Sequence, residues 1–327
     1  MKLLIIGKEG RFVKNSSPED LAKVEIVYAS RDADAKEIIE KGKDAQLVLV
    51  DAMSALPGEA IRAMTQLKMI HSEGVGYQYV DVKTAAELGI PVCNCKGMNA
   101  SAVAEHTVML MMACLKDLIN GHVDVLRAEQ IHRKEAYMLN GNLKELGDCT
   151  VGLVGMGDIA SETARMLQVF GPKVIYYSRH EAPAERTYGA RYVSMEELLK
   201  ESDFVSLHVP VTEETRNMAN EAFLSRMKEG AFLINTSRGD LVKGEDLVKA
   251  LEHGHLGGAG LDCLEKEPVQ PDNVYLQASE AAKSKMILSP HIAGITASSF
   301  KRGYAMVWEN IHRVINGEKP VRIVNGI

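Results

Sequence analysis

Cysteine is scarce in this chain: five in 327 residues, an odd number, at Cys93, Cys95, Cys114, Cys149 and Cys263, all in or beside apolar segments. That usage argues against a disulfide framework and fits reduced thiols in a cytosol. Long hydrophobic runs are missing too. The most apolar later stretch, Val103 to Leu115, contains Glu105 and His106 and falls short of the ~20 apolar residues that cross a bilayer. The N-terminal MKLLIIGKEG ends in glycine and charges, with no long apolar region and small-residue cleavage site. It therefore reads as a first strand, and a soluble, cytoplasmic protein with no membrane partner is expected. Lysines and arginines are scattered rather than gathered into a basic tract, and the net charge is −6, so nucleic acid is not an expected partner. Low-complexity tracts and short repeats are absent, which excludes a solenoid. His253 and His255 have no acid or cysteine at a supporting spacing, and no metal is expected.

What is present is a core-forming composition, 46% hydrophobic, on a chain longer than one ordinary domain. Short β-rich runs alternate with helical patterns at 3–7, 24–28, 47–51 and 68–72. A second series follows at 150–155, 173–178, 204–208, 231–235, 258–262 and 286–289. Runs apolar on both faces suit parallel strands covered by helices, so the expected fold is α/β, a doubly wound parallel sheet occurring twice. Between the two series, Asn99 can cap a helix in ASAVAEHTVMLMMACL that is apolar nearly all round. Such a helix is expected to be buried between domains or subunits.

The segment TVGLVGMGDIASETARML reads as strand, glycine turn and helix, with Gly155, Gly157 and Ala160 in Gly-x-Gly-x-x-Gly/Ala positions. Gly155 permits the turn, and Gly157 lets backbone amides approach a pyrophosphate. Ala160 keeps helix and strand close, and the helix N-terminus favours the anion. Met156, Asp158 and Ile159 complete this expected cofactor loop, although a carboxylate at Asp158 would sit near phosphate charge. The next strand ends in Tyr177, Ser178, Arg179 and His180. An NAD site calls for an acid there to bind the ribose 2′-hydroxyl. A hydroxyl, a guanidinium and an imidazole instead suit a 2′-phosphate, so NADP(H) is expected over NAD(H).

Three further segments place polar residues at expected strand ends: INTSRGDLV at 234–242, GLDCLEKEP at 260–268 and SPHIAG at 289–294. With GVGYQYVD at 74–81, NASAVAEH at 99–106 and HVPVTEET at 208–215, they closely resemble the D-isomer-specific 2-hydroxyacid dehydrogenases, of the glyoxylate/hydroxypyruvate reductase kind. The resemblance runs in consistent order from about Leu47 to the C-terminus. It implies that Arg238 binds the substrate, that His291 is the acid/base and that Glu267 is its carboxylate partner. The chemistry matches those residue types. A guanidinium can hold a carboxylate and polarise a carbonyl, and an imidazole titrates near working pH and is fixed by a neighbouring acid. The resemblance further implies that Gly74, Val75 and Gly76 bind the substrate carboxylate through their amides, with Asn99 nearby. It places Val209, Pro210, Thr215, Thr236, Ser237 and Asp262 beside the cofactor. It also implies a Rossmann cofactor domain (99–292) inserted into a flavodoxin-like substrate domain (1–98 and 293–327), with the two crossings acting as a hinge. A homodimer formed through the helix at 103–115 and the following arm is expected.

The sequence departs from the family's usual pattern at Gln78 and Tyr79, and Glu73 adds a carboxylate just before the glycines. That carboxylate would repel an anionic substrate unless paired or turned away. The loop at 50–58 carries no arginine to receive a substrate phosphate, which counts against phosphoglycerate. Its Met53 and Leu56 instead point to a small or apolar substrate side chain. The competing readings are a phosphoglycerate, formate or phosphite dehydrogenase of the same fold, and a nucleotide-sensing corepressor-like interaction protein. The Glu267 and His291 pairing argues against formate.

Overall fold

The computed structural model describes residues 1–141 and 143–327. The chain forms two compact units, one made of Met1–Asn99 with Ile295–Ile327 and the other of Ala100–Gly294. Asn99 closes the first unit directly before the helix Ala100–Leu115.

The first unit is built on five parallel strands: β1 (Lys2–Ile6), β2 (Glu25–Ala29), β3 (Leu47–Val50), β4 (Met69–Ser72) and β5 (Val92–Cys93). Their order is β2-β1-β3-β4-β5, the flavodoxin-like arrangement. Alternation along β1 explains the layering. Leu4 and Ile6 enter one core with Val48, Val50 and Ile70, while Leu3 and Ile5 enter another with Leu47, Leu49, Tyr304 and Trp308. A sheet buried on both faces needs apolar residues at every position, and this is what makes its strands continuous hydrophobic runs. The second of these cores is closed by the C-terminal helix Ala297–Ile315, whose Thr296 cap accepts from the Ser299 amide.

The second unit carries β6 (Thr150–Val154), β7 (Lys173–Tyr177), β8 (Arg191–Tyr192), β9 (Phe204–Leu207), β10 (Phe232–Asn235), β11 (Gly258–Leu261) and β12 (Met286–Leu288). The order β12-β11-β10-β9-β6-β7-β8, parallel throughout, is the Rossmann order with one strand added at the far edge. The helix Ala100–Leu115 belongs to this unit, where Val108, Leu110, Met111 and Leu115 join Val151, Leu153 and Ile234 in one core. Its buried face thus lies on its own sheet, and Met109 and Met112 stay exposed. Gly260 on β11 makes room for it, since a Cβ there would meet the Leu110 Cβ at 3.0 Å.

Candidate active site

In open parallel sheets ligands bind at the carboxyl ends of the strands, where the strand order reverses. In the second unit that point lies between β6 and β9. Gly155 follows β6 with φ +104°, and a Cβ on it would stand 2.6 Å from the His208 carbonyl oxygen after β9. Only glycine fits that position. Gly157 opens the helix Asp158–Leu167 and has nothing within 4 Å of its Cβ direction, whereas Ala160 is fully buried. The turn therefore offers an open helix N-terminus suited to a pyrophosphate. Asp158 is paired with Arg186 at 2.6 Å, which offsets the carboxylate that the sequence leaves beside the expected phosphates. At the end of β7, Arg179 and His180 are exposed and Ser178 is half-buried, its hydroxyl donating to the His180 carbonyl. The neighbouring cation Arg179 helps, after hydrogen bonds from Thr212 and its own backbone, to hold Glu214 below the usual carboxylate range.

Arg238, Glu267 and His291 leave the carboxyl ends of three adjacent strands, β10, β11 and β12. His291 Nδ1 and Glu267 Oε2 are 2.6 Å apart, with side chains 43% and 30% exposed. Leu264 N also donates to Glu267, at 2.8 Å. Although burial works against it, these hydrogen bonds from His291 and Leu264 hold the Glu267 carboxyl below its usual range. His291 moves the other way. Hydrogen bonds to Cys263 and then Glu267 push its imidazole up to about 10.

The loop bearing His291 is held from beneath by Asp262, which is 1% exposed. Its carboxylate accepts from the Ser289 hydroxyl at 2.5 Å, from Ile292 N at 3.0 Å and from Ala293 N at 2.9 Å. His106 reaches the same cluster, 2.8 Å from the Ser289 hydroxyl. With this support His291 sits at φ 55°, a left-handed backbone that non-glycine residues adopt only where the surroundings impose it.

Arg238 is exposed, and its guanidinium donates to the Ser237 carbonyl at 2.7 Å. Among the described residues no carboxylate pairs with it, which leaves the remaining donors for a ligand. Its loop is pinned to the one bearing Glu267. Asn235 donates to the Arg238 carbonyl at 2.8 Å, and the Cys263 thiol lies 3.3 Å from the Ser237 carbonyl. A Cβ on Gly239 would stand 2.0 Å from the Leu264 carbonyl oxygen. We expect Gly239→Ala to force the two loops apart and cost about 1–3 kcal/mol, read as a lower urea midpoint at unchanged slope. Thr236 bonds Thr107 at 2.8 Å, Ser237 donates to the Leu207 carbonyl at 2.8 Å and Thr215 donates to the Pro210 carbonyl at 2.6 Å. These three hydroxyls brace the loops around Val209 and Arg238.

In the first unit the strand order reverses between β1 and β3. Gly74, Val75 and Gly76 follow β4 and are half-buried. Asn94 donates to the Val75 carbonyl at 2.8 Å, and Ser72 donates to the Gly76 carbonyl at 2.5 Å. Glu73 is paired. Arg11 bridges it to Asp51, and the Tyr304 hydroxyl donates to its other oxygen. Burial pushes the Glu73 carboxyl up to about 7, against the pull of Arg11. Arg31 stands 3.8 Å from Asp51, so two arginines from outside the loop at 50–58, Arg11 and Arg31, reach its second residue. Within that loop Met53 is 55% exposed, but Leu56 is fully buried and belongs to the core. The expectation that Leu56 shapes a substrate side-chain site is therefore corrected.

The sequence reading missed Arg11, Arg186, Cys263, Asn235 and Gly239. The Gly after Arg238 was the one available signal, because a loop glycine between a polar strand end and an apolar run marks close backbone approach.

The family model for the D-isomer specific 2-hydroxyacid dehydrogenase NAD binding domain matches residues 108–293. A glyoxylate reductase of Korarchaeum cryptofilum is 37% identical over 291 residues, 89% of this chain and 86% of that protein. The crystal structure of D-lactate dehydrogenase from Aquifex aeolicus, complexed with NAD and lactic acid, is 29% identical with a TM-score of 0.79 and covers both chains fully. An acyclic imino acid reductase, Bsp5, in complex with NADPH and D-Arg, is 27% identical with a TM-score of 0.79, covering 99% of this chain and 100% of that one. By the matched segment and by that degree of identity, the chain belongs to the D-isomer specific 2-hydroxyacid dehydrogenase family.

Proposed function

We propose that the protein is an oxidoreductase that transfers a hydride between NADP(H), or NAD(H) as the alternative, and a small 2-oxo acid or D-2-hydroxy acid. The observation that carries this reading is the 2.6 Å pairing of His291 with Glu267 on a loop pinned to that of Arg238. A reduced nicotinamide cofactor, its pyrophosphate held at the Gly155–Gly157 turn, would supply the hydride. Arg238 binds the carboxylate and draws electron density from the carbonyl. His291, charged below about 10, delivers a proton to the carbonyl oxygen and takes it back in the reverse direction. Glu267 keeps the ring charged and oriented. The amides of Gly74, Val75 and Gly76, with Asn99, are the family's positions for the substrate carboxylate. Glu73 does not oppose an anion there, because Arg11 and Tyr304 engage it.

The reading includes a substrate domain at 1–98 and 293–327, a cofactor domain at 99–292 and a homodimer. For the dimer, the support is the row of exposed apolar residues Leu118, Val125, Leu126, Ile131, Met138 and Leu139, which a monomer would leave in water. Five free cysteines fit a reducing cytoplasm. None of the described helices is long and apolar enough to cross a membrane.

Cofactor absorbance, followed while the purified protein meets glyoxylate and other 2-oxo acids, tests the function. Saturable NADPH or NADH oxidation is expected, and tight cofactor binding with no turnover on any acid would contradict it. For the cofactor preference we expect Arg179→Ala to raise the KM for NADPH about 10- to 100-fold, leaving that for NADH nearly unchanged. Equal effects on both would remove Arg179 from a 2′-phosphate site.

A further inference from the structure

His291 and Glu267 are not alone at the end of β11 and β12. The Cys263 thiol, the Glu267 carboxylate and an imidazole nitrogen of His291 offer three donor atoms that all lie within 4.8 Å of one another. It is the one such group of three among the described residues. We propose that Cys263, Glu267 and His291 form a binding site for a thiophilic divalent cation of the zinc type, whose occupancy takes His291 out of proton transfer.

The donor set is the argument. Thiolate, imidazole and carboxylate are the ligand types that zinc selects, at about 2.3, 2.0–2.1 and 2.0–2.2 Å respectively, and three protein ligands leave a fourth position open. Neighbouring donors in such a shell stand roughly 3.3–3.7 Å apart. The His291 to Glu267 pair therefore has to widen from 2.6 Å, and these two side chains have to close on the Cys263 sulfur by up to about 1 Å. Side-chain rotation can supply both shifts, since His291 and Glu267 are 43% and 30% exposed. The thiol itself is buried, in a residue 2% exposed, so the cation enters past the imidazole. Its position is fixed by the Ser237 carbonyl 3.3 Å away. The other four cysteines have no such company, and burial pushes their thiols up.

Binding balances by proton release. Cys263 loses its thiol proton and His291 loses the proton it shares with Glu267, both to solvent, so affinity rises with pH. The cation then takes the place of the proton on Nδ1, the nitrogen that faces Glu267, so the ring is no longer an imidazolium with an acidic proton to pass on. This kinetic consequence rests on the proposed function, whereas the binding itself does not.

Cobalt(II) titration of the full-length protein, followed by absorbance, separates the two. We expect one equivalent to bind with a thiolate-to-cobalt charge-transfer band that zinc(II) abolishes. The band should vanish in both Cys263→Ala and Cys263→Ser, and cobalt affinity should fall at least about tenfold in Glu267→Gln. The Ser variant, close in volume to the thiol, guards against a variant that fails to fold. Absence of the band in the wild-type protein, or its survival in either Cys263 variant, overturns the site. Zinc inhibition of 2-oxo acid reduction that tracks the cobalt affinity is expected alongside. A band without any turnover to inhibit would leave the site standing and contradict the proposed function instead.

Discussion

His291→Gln is expected to lower kcat for 2-oxo acid reduction by about 10²–10⁴-fold while changing the KM for the acid by only a few-fold. The carbonyl oxygen gains a proton only as hydride arrives, so an acid at that oxygen acts in the transition state and hardly at all on the bound ground state. Glutamine keeps the volume and a hydrogen-bond donor but has no transferable proton at working pH. The loop should survive the change. Its anchors are the Asp262 carboxylate and the His291 backbone amide, which donates to the Asp262 carbonyl at 2.9 Å, and neither depends on the ring. Steady-state kinetics with unchanged cofactor affinity checks this. A loss carried mainly in KM would assign His291 to substrate binding rather than proton transfer.

Arg238→Ala is the second large loss, about 10²–10³-fold in kcat/KM. The guanidinium has one bond to its own loop, at the Ser237 carbonyl, and among the described residues no acid to satisfy it. Its free donors are therefore available to a carboxylate and a carbonyl together. Arg238→Lys should recover little, because an ammonium cannot make the paired planar contact. Unlike His291→Gln, this variant should raise KM as well as lower kcat, since the carboxylate is bound in the ground state too. A folded Arg238→Ala enzyme with an unaltered kcat/KM would remove the residue from the site.

How far the sequence reveals this molecule depends on the range of the interactions involved. Branched apolar runs such as Leu47–Val50 and Phe204–Leu207 are buried on both faces of a parallel sheet, so they announce themselves as strands. Val92–Cys93 and Arg191–Tyr192 are two residues long and carry no periodicity to read. Gly155 is legible because its φ and its approach to His208 are local demands of a turn. Arg11 is not, because its partners lie 40 and 62 residues away and only the sheet order brings them together. Leu56 misleads for the opposite reason. Its place in an exposed-looking loop conceals a core position paired with Val80. Cys263 reads as an ordinary apolar thiol, and only the return of β12 beside β11 sets His291 against it.

The most direct test of the acid/base account is the pH dependence of kcat/KM for reduction in the wild-type enzyme and in Glu267→Gln. His291 is held up near 10 by Cys263 and Glu267, above its ordinary 6.5, so the proton it donates is present at neutral pH and is lost as pH rises through that value. The stability this pairing gives the fold follows the same sign, full below the ordinary value and lost on the way up. Removing the Glu267 charge should bring the basic limb of the profile down by about 1–2 pH units, with Cys263 retaining part of the shift. A basic limb at the same pH in both proteins would contradict the account, because the group that donates the proton would then not be the imidazole that Glu267 holds.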